Sequence, residues 1–270
     1  MFKRFKVSAA LLLGTLGLLG LAANARAQSA AAPATRPTVV LVHGAFAESA
    51  SWNGVVARLA RDGYPVVAAA NPLRSVKGDA AFVAAILSSI KGPVVLVGHS
   101  YGGAVISAAA VGHDNVKALV YVAAFLPEAG ETSLGLSGKF PGSTLGGALA
   151  APVALSDGNQ DLYIRPDRFR AQFAADVPAA EAVLMAATQR PITQVALGEP
   201  SGEPAWRTIP SWAIYGSADL NIPAAAHAFM AKRAGARRIV EVKGASHVVM
   251  ISHPDQVAAM IEEAATATAQ

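Results

Sequence analysis

The 270-residue chain contains no cysteine, which excludes disulfides, thiol nucleophiles and cysteine-held metals. Stability must come from the core. Acidic residues are missing from the first 27 positions, which hold four of the 22 basic residues, so the remainder balances 18 basic against 18 acidic groups. A formally neutral body argues against nucleic-acid or acidic-membrane partners. No internal repeat or low-complexity tract is present beyond a general alanine bias, and about 240 residues suffice for one large core. His113 and His227 lack acidic or histidine partners at ligand spacing and read as surface residues, so neither a metal nor an organic cofactor is expected.

Lys3, Arg4 and Lys6 precede a charge-free, predominantly apolar stretch from Val7 to Ala23, and Ala25-Arg26-Ala27 forms a small-x-small site. This order predicts a secretory signal peptide over residues 1–27, with export to the periplasm or medium. An uncleaved anchor is the competing reading, because the apolar run is nearly long enough to span a bilayer. Residues 28–36 are expected to form a flexible lead-in.

Polar alternation is absent from the Val-, Ile- and Leu-rich runs, which predicts strands covered on both faces, as in a parallel sheet. Such strands are expected at Thr38–His43, Pro65–Ala70, Val94–Gly98, Lys117–Ala123, Ser211–Tyr215 and Arg238–Lys243. Helical patterns at Ser51–Asp62, Gly78–Ile90, Tyr101–Gly112, Pro223–Ala234 and Pro254–Ala265 make repeated βα units with right-handed crossovers. The result is an α/β, doubly wound, mostly parallel sheet of about six strands, built from residues 37–127 and 211–270. Alternation breaks over residues 128–210, where Gly and Pro punctuation and no convincing buried strand predict a helical cap insertion.

Gly98-His99-Ser100-Tyr101-Gly102 fits G-x-S-x-G between a predicted strand and a predicted helix. The sharp reversal strains the central residue and requires glycine on its flanks, which makes Ser100 a nucleophile candidate. The helix N-terminus beside it favours a developing oxyanion. A serine needs a base, and the base needs an acid that fixes its tautomer. Asp219 and His247 both follow late strands, where catalytic loops of open α/β sheets lie. Glu128 is the alternative acid and His253 the alternative base. For the oxyanion hole, Tyr101 offers one backbone N–H and Ala45, in the loop after the first strand, the other. Gly44 lets that loop turn tightly, His43 is expected to bond backbone groups, and His99 to pack on the far side of the turn.

Together these pieces resemble the α/β-hydrolase superfamily over residues 37–265. Leu41-Val42-His43-Gly44-Ala45-Phe46, Gly98-His99-Ser100-Tyr101-Gly102-Gly103, Ala123-Ala124-Phe125-Leu126-Pro127 and Gly244-Ala245-Ser246-His247 are most similar to the branch containing plant methyl-salicylate esterases and hydroxynitrile lyases. The resemblance implies an α/β-hydrolase fold with a Ser100 nucleophile, His247 base, Asp219 acid, and Ala45 and Tyr101 as oxyanion donors. It implies a serine hydrolase cleaving carboxylic esters through an acyl-enzyme. Lyases of this branch carry a threonine in the oxyanion loop and a lysine after the histidine, whereas this chain has Gly44 and Val248, which favours hydrolysis. Hydroxynitrile-lyase-like or perhydrolase activity and a slow-turnover ligand sensor are the alternatives.

The expected partner is a small to medium hydrophobic or aromatic ester, with Phe46, Phe125 and Leu126 lining its pocket. Phe140, Phe169, Phe173 and Trp206 offer further apolar surface or the cap's own core. Arg165, Arg168, Arg170 and Arg190 either meet a substrate carboxylate or form a solvated face.

Overall fold

Residues 36–269 are described by a computed structural model; the readings for residues 1–27, and for 28–36 up to its last residue, lie outside the described residues. Strands β1 (Thr38–Val42), β2 (Val66–Ala69), β3 (Val94–His99) and β4 (Val116–Val122) alternate with α1 (Asn53–Arg61), α2 (Val76–Ser89) and α3 (Gly102–Ala109). Between residues 133 and 198 come α4 (Ser133–Ser137), α5 (Leu145–Ala148), β5 (Val153–Ala154), β6 (Gln160–Leu162), α6 (Pro166–Phe173), α7 (Ala179–Thr188), β7 (Ile192–Thr193) and α8 (Gln194–Gly198). The chain then returns through β8 (Ser211–Gly216), α9 (Ala224–Arg233), β9 (Arg238–Val242), α10 (Val249–Ser252) and α11 (Pro254–Ala267).

The six long strands form one parallel sheet in the order β2-β1-β3-β4-β8-β9. All six lie where the apolar runs predict them, within two residues at each end. The central strands β3 and β8 are buried along their whole length, while the edge strands β2 and β9 are partly exposed because each has a neighbour on one side only. Trp52 and Trp212 anchor the helical layers among the fully buried side chains. Each large apolar side chain so buried contributes about 1.5–3 kcal/mol.

Strand order reverses beside β1, since β2 is laid on one side of it and β3 on the other. Loops leaving β1 and β3 therefore diverge at their carboxyl ends and open the crevice where α/β sheets bind ligands. Helix α2 starts where the Ser75 hydroxyl accepts from Gly78 N, and α11 starts at Pro254, whose missing N–H is no loss in a first turn.

The cap is helical as expected but adds strands that were not expected. It contains an antiparallel sheet in the order β5-β6-β7, with strands of two or three residues. Strands this short show no alternation in the sequence, and their pairing depends on partners as far apart as Asp161 and Thr193. Among the described residues no helix is long and apolar enough to cross a membrane.

Candidate active site

Ser100 stands immediately after β3 with φ of 54°, a left-handed conformation that an L-residue holds only under tertiary constraint. The constraint is visible in its neighbours. A Cβ on Gly98 would meet Gly102 O at 2.6 Å, and one on Gly102 would meet Val42 O at 2.5 Å, so both flanks admit only glycine. The Ser100 carbonyl accepts from Gly103 N (2.9 Å) and Phe125 N (3.1 Å), which holds the turn at the start of α3.

His247 lies in the segment after β9, fully buried, with Nε2 2.9 Å from Ser100 Oγ and Nδ1 2.6 Å from Asp219 Oδ2. An ionised carboxylate only accepts, so Nδ1 carries the proton and Nε2 is left to accept from the serine hydroxyl. Asp219, in the loop after β8, is clamped on both oxygens. Oδ1 accepts from Asn221 N (2.8 Å) and Ile222 N (3.0 Å), and Oδ2 accepts a second imidazole, His227 Nε2, at 3.0 Å. Burial alone would raise this carboxyl's pKa; the facing His247 and the His227 and His247 hydrogen bonds outweigh it and hold the group well below the usual range.

Two further buried histidines fasten Gly44. His43 Nδ1 donates to Gly44 O (2.9 Å) while its Nε2 accepts Asn71 N (3.1 Å). His99 Nδ1 accepts Gly44 N (3.4 Å), and its Nε2 donates to the His247 carbonyl (3.2 Å). Each ring uses one nitrogen to accept, so both are neutral, and burial lowers both pKa values, that of His99 the further. Gly44 is needed here for close approach: its φ is not positive, but an added Cβ would lie 2.6 Å from Ser100 Cβ and 3.1 Å from Tyr101 N. The sharp backbone turn falls instead on Phe46, with φ of 59°.

Ser100 and His247 open into a narrow cleft enclosing about 40 Å³, with Ala45, Phe46, Tyr101, Phe125 and Leu197 among its walls. Larger hollows of about 250 Å³ and 470 Å³ lie elsewhere and contain none of Ser100, His247 or Asp219; the first shares Phe46 with the cleft.

A model of the alpha/beta hydrolase family matches residues 39–260. The chain belongs to that family. A pyrethroid hydrolase of Sphingobium wenxiniae is 32% identical over 253 residues, covering 86% of this chain and 89% of the relative. The crystal structure of a pyrethroid hydrolase from Sphingobium faniae is 28% identical with a TM-score of 0.67, covering 86% and 98% of the two chains. Polyneuridine aldehyde esterase, 17% identical with a TM-score of 0.73 over 84% of this chain and 98% of that one, shares the fold. The family and these relatives support ester hydrolysis.

Within this hydrolase, two further expectations need correction, for His227 and for Leu126. His227 is buried, not a surface residue: it hydrogen-bonds Asp219 and stacks on Tyr215 at 4.9 Å. It sits on the face of α9 that buries Ala226, Met230 and Ala231, a helical stripe legible in the sequence that ligand spacing does not register. Leu126 is buried but does not wall the cleft; its N–H points at Met230 Sδ, 3.4 Å away, while Phe46 and Phe125 do line it. Of the two readings for Arg165, Arg168, Arg170 and Arg190, the structure favours the one away from substrate: none borders the cleft, the first two pair with Asp167, Arg170 bonds the Val177 carbonyl and Arg190 pairs with Glu48.

Glu128 instead pairs with Arg207, and His253 bonds Ser252 Oγ at 2.9 Å at the start of α11. Phe173 is fully buried and packs its ring 5.1 Å from the His247 ring and 6.1 Å from Phe46, so it braces the His247 imidazole from the cap side. Phe169 packs behind it at 5.1 Å, Phe140 lies against Phe229, and Trp206 Nε1 donates to Pro127 O.

Proposed function

We propose that this hydrolase is a serine-dependent carboxylesterase acting on small to medium hydrophobic or aromatic esters through an acyl-enzyme. The observation that carries the reading is the continuous relay from Ser100 Oγ through His247 to Asp219, at 2.9 and 2.6 Å. His247 takes the Ser100 proton as the oxygen attacks the ester carbonyl. The same imidazole, now protonated, gives the proton to the departing alcohol, and then activates the water that releases the acid. Asp219 holds the ring and offsets its transient charge.

For the oxyanion, the Ala45 and Tyr101 N–H groups are the proposed donors. Neither makes a hydrogen bond to another group among the described residues, and Gly44 keeps Tyr101 N unobstructed. The bulky alternative to Gly44 that characterises the lyases of the resembling branch has no room here. Val248, where those lyases carry lysine, is fully buried among apolar groups. The apolar cleft walls favour a hydrophobic substrate, and one relative is, by name, a pyrethroid hydrolase. Export of the mature chain, suggested by residues 1–27, belongs to the same proposal.

The test is hydrolysis of p-nitrophenyl esters of increasing chain length and methyl esters of aromatic acids by the wild type and Ser100→Ala. Replacing the nucleophile should lower kcat by about 10⁴-fold or more with the thermal midpoint retained. Near-full esterase activity in the variant would remove Ser100 from the mechanism.

A further inference from the structure

Beyond Ser100 and His247, the mostly apolar cleft is lined by three short polar side chains, Ser133, Ser137 and Asn221; Ser137 Oγ is spent on the Asn221 carbonyl, while Asn221 and Ser133 are buried to within a few per cent. Asn221 Nδ2 and Ser133 Oγ are also buried polar atoms without a hydrogen-bond partner. An orphaned donor in a ligand cleft is costly to maintain unless a ligand completes it.

Everything else about Asn221 is occupied. Its N–H donates to Asp219 Oδ1 (2.8 Å), and its carbonyl accepts from Ser137 Oγ (2.7 Å) and Ser143 Oγ (3.0 Å). Its side-chain oxygen accepts from Gln172 Nε2 at 2.8 Å. The orientation of both amides follows from the chain of donors. Gln172 Nε2 faces the Leu220 carbonyl at 2.9 Å, which only accepts, and Gln172 Oε1 accepts from Thr144 Oγ1 at 2.8 Å. Gln172 therefore presents N–H to Asn221, which must answer with Oδ1 and leave both Nδ2 protons free. The free group is a donor, held rigid by four hydrogen bonds to the rest of Asn221.

We infer that Asn221 and Ser133 form a polar recognition subsite for a neutral hydrogen-bond-accepting oxygen, ether or ketone, in the ester substrate. An acceptor is required because Nδ2 has no lone pair to offer. Neutrality is required because no arginine or lysine lines the cleft, while the buried Asp219 carboxylate lies two residues from Asn221. The inference rests on the esterase reading above and narrows its substrate class to hydrophobic esters carrying one such oxygen away from the scissile bond.

The test compares p-nitrophenyl hexanoate with its 3-oxa, 4-oxa and 5-oxa analogues, each rate divided by that ester's alkaline hydrolysis rate. At least one oxa ester should exceed hexanoate in kcat/KM by about 10- to 100-fold, the discrimination expected of a buried donor left unpaired by the hydrocarbon. Asn221→Leu should bring that ratio near one, and Ser133→Ala should reduce it. No oxa preference in the wild type, or a preference that survives in a folded Asn221→Leu protein, overturns the inference. Should Asn221→Leu not fold, the wild-type and Ser133→Ala ratios decide.

Binding of the same four esters to Ser100→Ala, followed by thermal shift, reads the subsite without turnover. Tighter binding of an oxa ester there, lost on adding Ser133→Ala, supports the subsite even if the wild type hydrolyses none of them, an outcome that would sink only the esterase reading. Equal binding of all four overturns the subsite while leaving hydrolysis intact.

Discussion

His227 Nε2 lies 3.0 Å from the Asp219 oxygen that also holds His247 Nδ1 at 2.6 Å, so two imidazoles from different elements share one carboxylate atom. His227 touches neither Ser100 nor the cleft and acts only by fixing the acid. Its replacement by leucine removes a hydrogen bond to a buried charge, worth about 1.5–3 kcal/mol. The expected result is a kcat lower by roughly 10-fold with KM nearly unchanged, because the substrate walls stay in place while the relay loosens. His227→Gln, which can still donate, should recover most of the loss. Steady-state kinetics of the two variants check this, and equal damage from both would assign His227 to packing alone.

Gly44 makes the second prediction. An alanine Cβ would stand 2.6 Å from Ser100 Cβ and 2.7 Å from His99 O, closer than folded proteins tolerate. Gly44→Ala must push the loop and the nucleophile apart, so kcat is expected to fall by about 100-fold. Stability should drop by about 1–3 kcal/mol. Paired kinetic and urea-unfolding measurements separate the two effects, and wild-type kcat in the variant would contradict the geometry.

Acid should weaken the fold earlier than its carboxylates require. Burial lowers the pKa of His43 and His99 in the folded state, so below about pH 6.5 the unfolded chain takes up protons that the native state refuses. Their stabilisation is complete above that pH and is lost as pH falls toward the lowered folded values, at up to about 1.4 kcal/mol per pH unit for each ring. Asp219, whose pKa is depressed, loses its contribution only below about pH 4. Asp79, raised by burial, acts in the opposite sense and gains as it protonates. Urea unfolding between pH 7.5 and 5.5 should therefore show falling stability, with a shallower slope in His99→Gln. A flat wild-type curve would mean both rings protonate freely in the fold.

Phe46 separates the catalytic cleft from the adjoining hollow of about 250 Å³. Phe46→Ala should join the two spaces and raise kcat/KM for long acyl chains relative to short ones by about 10-fold. Removing a buried aromatic costs about 3–5 kcal/mol, so the thermal midpoint should fall by several degrees. An unchanged chain-length profile would show that acyl chains do not run toward this wall.

Reading the fold from the sequence succeeded where the signal is local or chemically forced. Val94–His99 and Ser211–Gly216 are buried on both faces, and such strands cannot carry polar alternation, so unbroken apolar runs betray them. The strained serine turn writes its steric demand into Gly98 and Gly102. Alignment to the family extends over the same core residues. The cap sheet went unread because β5 and β7 have two residues each.

The order of apolar runs, the glycines at 98 and 102 and the succession Ser100, Asp219, His247 are determined by the sequence alone, because backbone sterics and burial act on residues close together in the chain. Which groups meet across the sheet was decided only by the tertiary structure. His227 reached Asp219, Phe173 reached His247, and the amide of Asn221 was turned by Gln172 because packing brings together donors and acceptors whose separation along the chain carries no pattern.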